Sequence, residues 1–253
     1  MPNRIGLIAS GAVSQSFVAR LPFVRDRLGP VYSPALRNAS RIVNGLRIGI
    51  PVSEFVALSR CGMVLIAVPD DLLEATVSAA AAESEARWQR KIVVLCGSAF
   101  DAGALDPLQK LGAYCVTLDA VPASGEARFV TEGDPAAVAE LRRLFGRSNL
   151  FVLDRGGKAA YQAGILLATD LALEMTAGAV ESLRTAGLSR PQAVPVVEAL
   201  MTQTARAYGK AGRRAATGMP SAEILAYYAK AIRDRDPALA RLFERALALY
   251  TEK

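Results

Sequence analysis

The chain contains no histidine. Histidine is the side chain whose ordinary pKa lies closest to neutrality, and it is the commonest metal ligand in proteins. Its absence excludes histidine-based catalytic triads and histidine-containing zinc sites, and we predict no metal site. Any proton transfer must therefore use Lys, Tyr, Asp, Glu, Cys or water.

Aromatic residues are also scarce, at 6% of the chain. The net charge of +6 raises the question of nucleic-acid binding, but the basic residues are scattered and form no run of five or more. With few aromatic side chains, the chain offers no obvious platform on which bases could stack. The charge suits a phosphorylated cofactor better, and nucleic-acid binding around Arg213 and Arg214 is the least supported alternative.

Only three cysteines occur, and Cys61, Cys96 and Cys115 lie far apart, in or beside apolar runs. Scattered cysteines in an odd number are typical of reduced core residues in a cytosolic protein. The first residues lack the apolar stretch of a secretory signal. The best candidate for a membrane span, 163–179, is interrupted by two acidic residues, so no span is expected. We therefore predict a cytoplasmic protein.

The pattern of apolar residues predicts two domains. In the first half, short β-rich runs alternate with helical segments, which is typical of a parallel sheet covered by helices. After 155–157 the β-rich runs cease, and Ala, Leu, Glu and Arg recur at helical spacing. We predict an α/β fold with a dinucleotide-binding Rossmann domain at 1–154 and an all-helical domain at 155–253. The predicted strands are 5–9, 31–33, 46–50, 63–68, 92–96, 114–118, 129–131 and 150–152.

The turn after the first strand indicates a cofactor site. In the spacing G-x-G-x-x-G this chain has Ala9, Gly11 and Ser14, so only the middle glycine is present. That glycine allows the backbone to approach a pyrophosphate at the start of a helix. The alternative is an ordinary strand-to-helix turn. The predicted cofactor-binding turn consists of Ala9, Ser10, Gly11, Ala12 and Val13.

The second strand favours NADP(H) over NAD(H). No acidic residue occurs from Arg27 to Ser53, although an acid usually holds the ribose of NAD. Instead, Ser33 ends the strand, and Arg37 and Arg41 share one face of the following helix, although they could also be solvated surface charges. Residues that follow the neighbouring strands complete the predicted cofactor contacts, namely Val68, Pro69 and Ser98.

The start of the helical half carries the candidate catalytic residues. Lys158 and Gln162 are four positions apart, so they share a helical face that could receive a carbonyl or imine group. Partial desolvation would make the Lys158 ammonium a usable general acid or base, and Tyr161 could replace it or relay the proton. Thr169 and Thr217 are candidate substrate contacts.

Four segments occur in an order that resembles a known group of proteins: Ala-Ser-Gly-Ala-Val at 9–13, Val-Leu-Ile-Ala-Val-Pro-Asp-Asp at 64–71, Gly-Lys-Ala-Ala-Tyr-Gln-Ala at 157–163 and Ala-Ala-Thr-Gly-Met-Pro at 215–220. The chain resembles Rossmann-like proteins with a helical carboxyl-terminal domain of unknown function. These are related to pyrroline-5-carboxylate reductase, to deazaflavin-dependent NADP oxidoreductases and to the 6-phosphogluconate and β-hydroxyacid dehydrogenases.

The resemblance implies an NADP-binding domain followed by a helical domain that pairs with its twin in a homodimer. In the hydroxyacid dehydrogenases a helix lysine, with an amide residue four positions later, faces the nicotinamide, and Lys158 and Gln162 match that spacing. The related proteins usually have histidine where this chain has Gln162, and histidine-containing segments in place of 96–98 and 118–120. They also have an arginine-glycine-aspartate sequence that is missing after 217–220.

Two functions therefore remain open. The first is an NADP(H)-dependent oxidoreductase that acts on a small imine, ketone or hydroxyacid. The second is a non-catalytic nucleotide-binding or sensor protein, in which the degenerate turn and the missing histidines reflect lost chemistry. The cofactor itself would supply the hydride, so an enzyme would have to position the substrate and manage one proton.

Overall fold

The computed structural model describes residues 4–10, 17–121, 128–215 and 218–251. Four predicted site residues lie outside this part of the chain: Gly11, Ala12 and Val13 of the cofactor turn, and Thr217. The chain divides into two compact units, 1–162 and 163–253. The roles predicted for the domains 1–154 and 155–253 stay predictions.

The first unit contains an eight-stranded sheet with the order β3-β2-β1-β4-β5-β6-β7-β8. All neighbouring strands are parallel except β6 and β7, which are antiparallel. The first six strands have the order of a dinucleotide-binding Rossmann sheet, so the predicted fold class is confirmed. The strands are Ile5–Ala9, Leu28–Tyr32, Ile50–Val52, Met63–Ala67, Ile92–Cys96, Tyr114–Ala120, Phe129–Thr131 and Leu150–Val152, numbered β1 to β8.

The central strands are apolar throughout because both of their faces are buried. In β4, Met63 and Leu65 pack into the hydrophobic core on one face of the sheet, whereas Val64 and Ile66 pack into the core on the other. Successive side chains of a strand point to opposite faces, so a run without polar residues fills both cores. The predicted strands 5–9, 92–96, 129–131 and 150–152 are confirmed to the residue.

The strand predicted at 46–50 is wrong. The preceding helix continues to Leu46, Arg47 ends it in the left-handed conformation with φ 57°, and the strand begins only at Ile50. Leu46 and Ile48 pack against the core from the end of the helix and the turn. Apolar residues at the end of a helix resemble a short strand in sequence. For this reason the predicted strand lies too early in the chain.

Nine helices are assigned within the described residues. Five start in the first unit, and the last of them continues across the division between the units. The other four belong to the second unit. The helices, numbered α1 to α9, are Leu36–Leu46, Asp70–Ala82, Asp106–Lys110, Pro135–Phe145, Lys158–Ala168, Asp170–Thr185, Arg190–Ala211, Ala222–Arg233 and Pro237–Thr251.

The second unit packs its helices closely but buries few side chains. A Cβ atom on Gly178 of α6 would lie 2.5 Å from Leu242 Cδ2 of α9, so a larger residue there would require the Leu242 side chain to move. The stretch Lys158–Thr185 is apolar and long enough to cross a bilayer, with a mean hydropathy of 1.4. Thr169 separates its two helices, and Asp170 and Glu174 lie within it.

Candidate functional site

A buried ion pair lies at the centre of the candidate site. Lys158 Nζ is 2.9 Å from Asp119 Oδ2, and the two side chains are 1% and 9% exposed. Asp119 lies near the carboxyl end of β6, and Lys158 is the first residue of α5. Both residues belong to the first unit. The structure therefore provides the predicted lysine with a carboxylate partner that the sequence analysis did not identify.

Local sequence explains how the two charges meet. Four buried residues of β6 precede Asp119, so the strand carries the carboxylate into the sheet. On the other side, Gly156 has φ 77° and the Gly157 N–H donates to Asp154 O at 2.9 Å. This turn needs glycine at its positive-φ position and starts α5 at Lys158.

Tyr161 lies one helical turn after Lys158, so the two side chains share a face of α5. Its hydroxyl is buried and has no hydrogen-bond partner within the part of the chain that the structure describes. Burial raises the pKa of the Tyr161 phenol, and the Asp119 carboxylate raises it further. A phenol in this environment stays protonated at neutral pH. A buried hydroxyl without a partner is rare, and it indicates a place for a ligand or a water molecule.

Lys91 shows what a purely structural buried lysine looks like in this fold. Its ammonium donates to the carbonyl oxygens of Leu58, Ser59 and Cys61 at 3.0, 2.7 and 2.7 Å. All three protons of that ammonium therefore have acceptors. Lys158 has one carboxylate within ion-pair distance and no hydrogen bond of standard geometry among the described residues. The Lys158 ammonium can therefore donate further hydrogen bonds, whereas the Lys91 ammonium cannot.

Two more carboxylates act on Asp119. Burial raises the pKa of the Asp119 carboxyl, the Lys158 ammonium opposes this rise, and Asp70 and Glu132 add to it. Asp70 is the first residue of α2 and not its cap. It accepts hydrogen bonds from the Ser98 hydroxyl at 2.6 Å and the Ala99 N–H at 3.1 Å. The predicted cofactor contact Ser98 is thus buried and engaged with Asp70.

Glu132 follows β7 and ties two loops together. Its side chain is buried, and it accepts the N–H groups of Ala102 and Gly156, each at 3.0 Å. Its own N–H donates to Thr117 Oγ1 of β6 at 3.2 Å. Because Gly156 lies two residues before Lys158, Glu132 stabilises the turn that positions Lys158 for the ion pair.

The ion pair also affects the pKa of the Cys96 thiol at the end of β5. Burial raises the pKa of this thiol strongly, Asp119 raises it further, and Lys158 lowers it. The reactive form of cysteine is the thiolate, which this environment disfavours. Cys96 is therefore a packing residue and not a nucleophile.

The predicted cofactor residues lie at the carboxyl ends of the strands. Ala9 ends β1, and the Ser10 N–H donates to Ala67 O of the adjacent β4 at 3.3 Å. Val68 is buried, and Pro69 is the N-cap residue of α2. The order of the strands reverses between β1 and β4, which is where open α/β sheets bind their ligands.

Ser33 follows β2 and is fully buried, and its hydroxyl has no hydrogen-bond partner within the described ranges. It lies just before α1, whose first turn contains no acidic residue. Arg37 and Arg41 on that helix are exposed. The unpartnered hydroxyl therefore precedes the amino terminus of α1, the helix that carries both arginines.

The remaining predicted residues are distributed as follows. Gln162 is half-buried on α5. Thr169 is exposed in the second unit, and its hydroxyl donates to Ile165 O at 2.8 Å. Sequence reasoning missed Asp119 and Glu132. Asp119 lies within β6 and Glu132 directly follows β7, so their position at the end of a predicted strand is the signal that could have identified them.

The structure can be compared with known proteins. No protein-family model matches the chain, and no curated protein matches it. Solved structures similar to it include an imine reductase from Streptomyces aurantiacus, an imine reductase from Myxococcus stipitatus in complex with NADP+, and a reductive aminase from Aspergillus terreus in complex with NADPH and ethyl-5-oxohexanoate.

These three similarities extend over nearly the whole chain. The TM-scores are 0.69, 0.68 and 0.66 at sequence identities of 14%, 13% and 13%. The alignments cover 97%, 97% and 98% of this chain and 95%, 94% and 94% of the other chains. At these identities the comparison establishes a shared fold. The finer resemblance to pyrroline-5-carboxylate reductase and to the domain of unknown function stays a prediction.

The role of Glu132 can be measured by substitution. Glu132→Ala leaves the N–H groups of Ala102 and Gly156 without their charged acceptor, so we expect the free energy of unfolding to fall by about 2 kcal/mol or more. The matched control is Glu140→Ala, which removes the surface ion pair with Arg143 and should cost about 1 kcal/mol or less. Urea unfolding followed by circular dichroism measures both. Equal losses in the two variants would show that Glu132 does not anchor the turn.

Proposed function

We propose that the chain is an NADP(H)-dependent oxidoreductase that reduces a C=N or C=O bond of a small molecule. The observation that carries this proposal is the buried Lys158–Asp119 pair with the unpartnered Tyr161 hydroxyl beside it, all within the Rossmann unit. Such a group of titratable residues can manage the proton that accompanies hydride transfer. Residues 1–154 would bind the cofactor, and 155–253 would serve substrate binding and dimerisation.

Several features support NADP(H) as the cofactor. The Ser33 hydroxyl, the start of α1, and Arg37 and Arg41 offer hydrogen bonds and positive charge for a 2′-phosphate. The acid that usually binds the free ribose of NAD is absent from 27–53. Ala9, Ser10, Val68 and Pro69 would hold the remainder of the dinucleotide at the strand ends. Two of the structures compared above contain NADP+ or NADPH.

When bound, the cofactor would supply the hydride. The residues of this chain would orient the substrate, exclude water and provide one proton to its nitrogen or oxygen. Lys158 and Tyr161 carry the available protons in the site, and Gln162 is a candidate hydrogen-bond donor to the substrate. Proton delivery by a positioned side chain contributes about 10²–10⁴ to a reaction rate.

The charges of the site favour an imine or ketone over a hydroxyacid. Asp119 is paired with the Lys158 ammonium, and the Asp70 and Glu132 carboxylates lie close enough to raise the pKa of the Asp119 carboxyl. A substrate carboxylate would be repelled by this arrangement, whereas a neutral imine or ketone would not. The structurally similar imine reductases and reductive aminase agree with this preference.

Thermal unfolding in the presence of each cofactor tests the proposal. We expect NADPH at 100 times its Kd to stabilise the protein by about 2.7 kcal/mol, and NADH at the same concentration to have a much smaller effect. Arg37→Ala/Arg41→Ala should weaken NADPH binding at least about tenfold, because two cationic partners of the phosphate are lost. The matched control is Arg25→Ala/Arg60→Ala, which removes two exposed charges that precede β2 and β4.

Equal stabilisation by NADPH and NADH would contradict the assignment of NADP(H) as the preferred cofactor. No stabilisation by either at millimolar concentration would contradict the cofactor site altogether. Stabilisation without oxidation of NADPH, when a panel of imines, ketones and keto acids is offered, would favour the non-catalytic sensor. Faster oxidation with keto acids than with cyclic imines would contradict the proposed substrate class.

The second unit supports a homodimer. Its helices expose many large apolar side chains, and a groove of about 610 Å³ along one face of α7 has no second helix among its lining residues. Exposed apolar surface of this extent is typical of protein interfaces. A second copy of the chain is the partner that the resemblance implies. The exposed residues are Leu166, Leu167, Leu171, Leu173, Met175, Val194, Val196, Leu200, Met201, Tyr208, Met219, Ile224, Tyr227 and Tyr228.

Light scattering after size exclusion tests the dimer. We expect the wild-type chain to elute with twice the mass of one chain. Leu173→Glu, at a position 64% exposed, should produce the single-chain mass because it places a charge in the interface. Leu111→Glu, at a position 45% exposed in the first unit, is the matched control and should leave the dimer intact. A wild-type monomer at micromolar concentration would overturn the interpretation.

A further inference from the structure

We propose that Asp119 is a positioning residue that fixes the Lys158 ammonium in place and leaves the Tyr161 hydroxyl as the proton donor to the substrate. This inference rests on the proposed function and divides the roles among its residues. Lys158, the residue that the sequence favours as general acid, becomes a fixed charge. Asp119, which the sequence analysis assigned no role, determines the protonation of the site.

The geometry of the ion pair argues against proton release by Lys158. With Nζ 2.9 Å from Asp119 Oδ2 and both side chains largely buried, the two charges neutralise each other away from water. Loss of the ammonium proton would leave the Asp119 carboxylate buried without its cation. Removing one partner of a buried pair is costly, whereas keeping the pair intact costs nothing further. Lys158 therefore keeps its proton while the substrate reacts.

Tyr161 has the properties of the donor. Its hydroxyl is buried, lacks a hydrogen-bond partner within the described residues, and lies one turn after Lys158 on the same helix. The raised pKa of the phenol keeps it protonated at neutral pH, so the donor form predominates before the reaction.

The reaction step balances with these groups alone and the proposed cofactor. Bound NADPH would supply the hydride for the new C–H bond, which reduces the C=N bond, and would itself be oxidised to NADP+. The Tyr161 O–H bond breaks as the new N–H bond forms, which leaves a phenolate and an amine. Water returns the proton to the phenolate when the product leaves. For a ketone the proton passes to oxygen in the same way.

The charged surroundings of Asp119 come from several elements. Lys158 approaches from α5, Asp70 from the start of α2 and Glu132 from the segment after β7. The Cys96 thiol of β5 also interacts with Asp119. Among these groups Lys158 alone is cationic. Removal of the Asp119 charge therefore leaves Tyr161 with a less negative environment.

Phenolate absorbance in the near ultraviolet tests the coupling without cofactor or substrate. Subtraction of the Tyr161→Phe titration from that of the wild type isolates Tyr161 from the other six tyrosines. For the Asp119→Asn variant, the titration of Asp119→Asn/Tyr161→Phe is subtracted in the same way. We expect the Tyr161 titration in Asp119→Asn to lie at lower pH than in the wild type by about one unit or more. The matched control Asp71→Asn, an exposed acid on α2, should leave it unchanged.

A second variant keeps the test valid if Asp119→Asn does not fold. Asp119→Leu/Lys158→Met removes both charges at once, and such apolar replacements of a buried pair are often neutral or stabilising. The Tyr161 titration in this variant, with the corresponding Tyr161→Phe background, must also lie below that of the wild type. An unchanged or higher titration in whichever variant folds would overturn the assignment of Asp119.

The pH dependence of turnover gives the second measurement. If Tyr161 donates the proton, Tyr161→Phe should lower kcat by about 10²–10⁴ with little change in KM. The alkaline limb of kcat against pH should move to lower pH in Asp119→Asn, in step with the phenol titration. Tyr161→Phe with undiminished kcat would overturn the donor role. If Asp119→Asn shifts the Tyr161 titration but the protein does not bind NADPH, the proposed function is contradicted. The electrostatic interaction between Asp119 and Tyr161 would still be supported in that case.

Discussion

The structure of the candidate site depends on a single ion pair that is almost completely removed from water. A buried carboxylate or a buried ammonium alone is unstable, so Asp119 and Lys158 require each other, although one lies in β6 and the other begins α5. Both charges act on the Cys96 thiol, and the Asp119 carboxylate also acts on the Tyr161 phenol. The pair thus joins β6 of the sheet to the start of α5.

The parallel sheet explains why these groups lie where they do. Parallel strands that are apolar on both faces form a sheet, and polar residues follow where each strand ends. Asp70, Ser98 and Asp119 come after or near the end of β4, β5 and β6, and Glu132 fixes the turn that begins α5. A second group lies at the end of β2, around Ser33, and we propose that it binds the 2′-phosphate of NADP(H).

Much of the fold could be predicted from the sequence because its cause is local. Apolar runs such as Met63–Ala67 have few alternatives to a buried strand, and the alternation of strands and helices predicts a parallel sheet. The position of β3 could not be predicted, since the end of α1 is as apolar as a short strand. Lys158 was predicted from its spacing to Gln162, but its partner was not. Asp119 and Lys158 are distant in sequence, and only the pairing of β6 and β7 and the turn at Gly156 bring them together.

The most direct test of this account is a crystal structure of the protein with NADPH bound. We expect the 2′-phosphate within hydrogen-bond distance of Ser33 Oγ and close to Arg37 and Arg41. The nicotinamide ring should lie beside Tyr161 and the Asp119–Lys158 pair. A dinucleotide that left the Ser33 hydroxyl without a partner, or placed its nicotinamide away from Tyr161, would contradict the account.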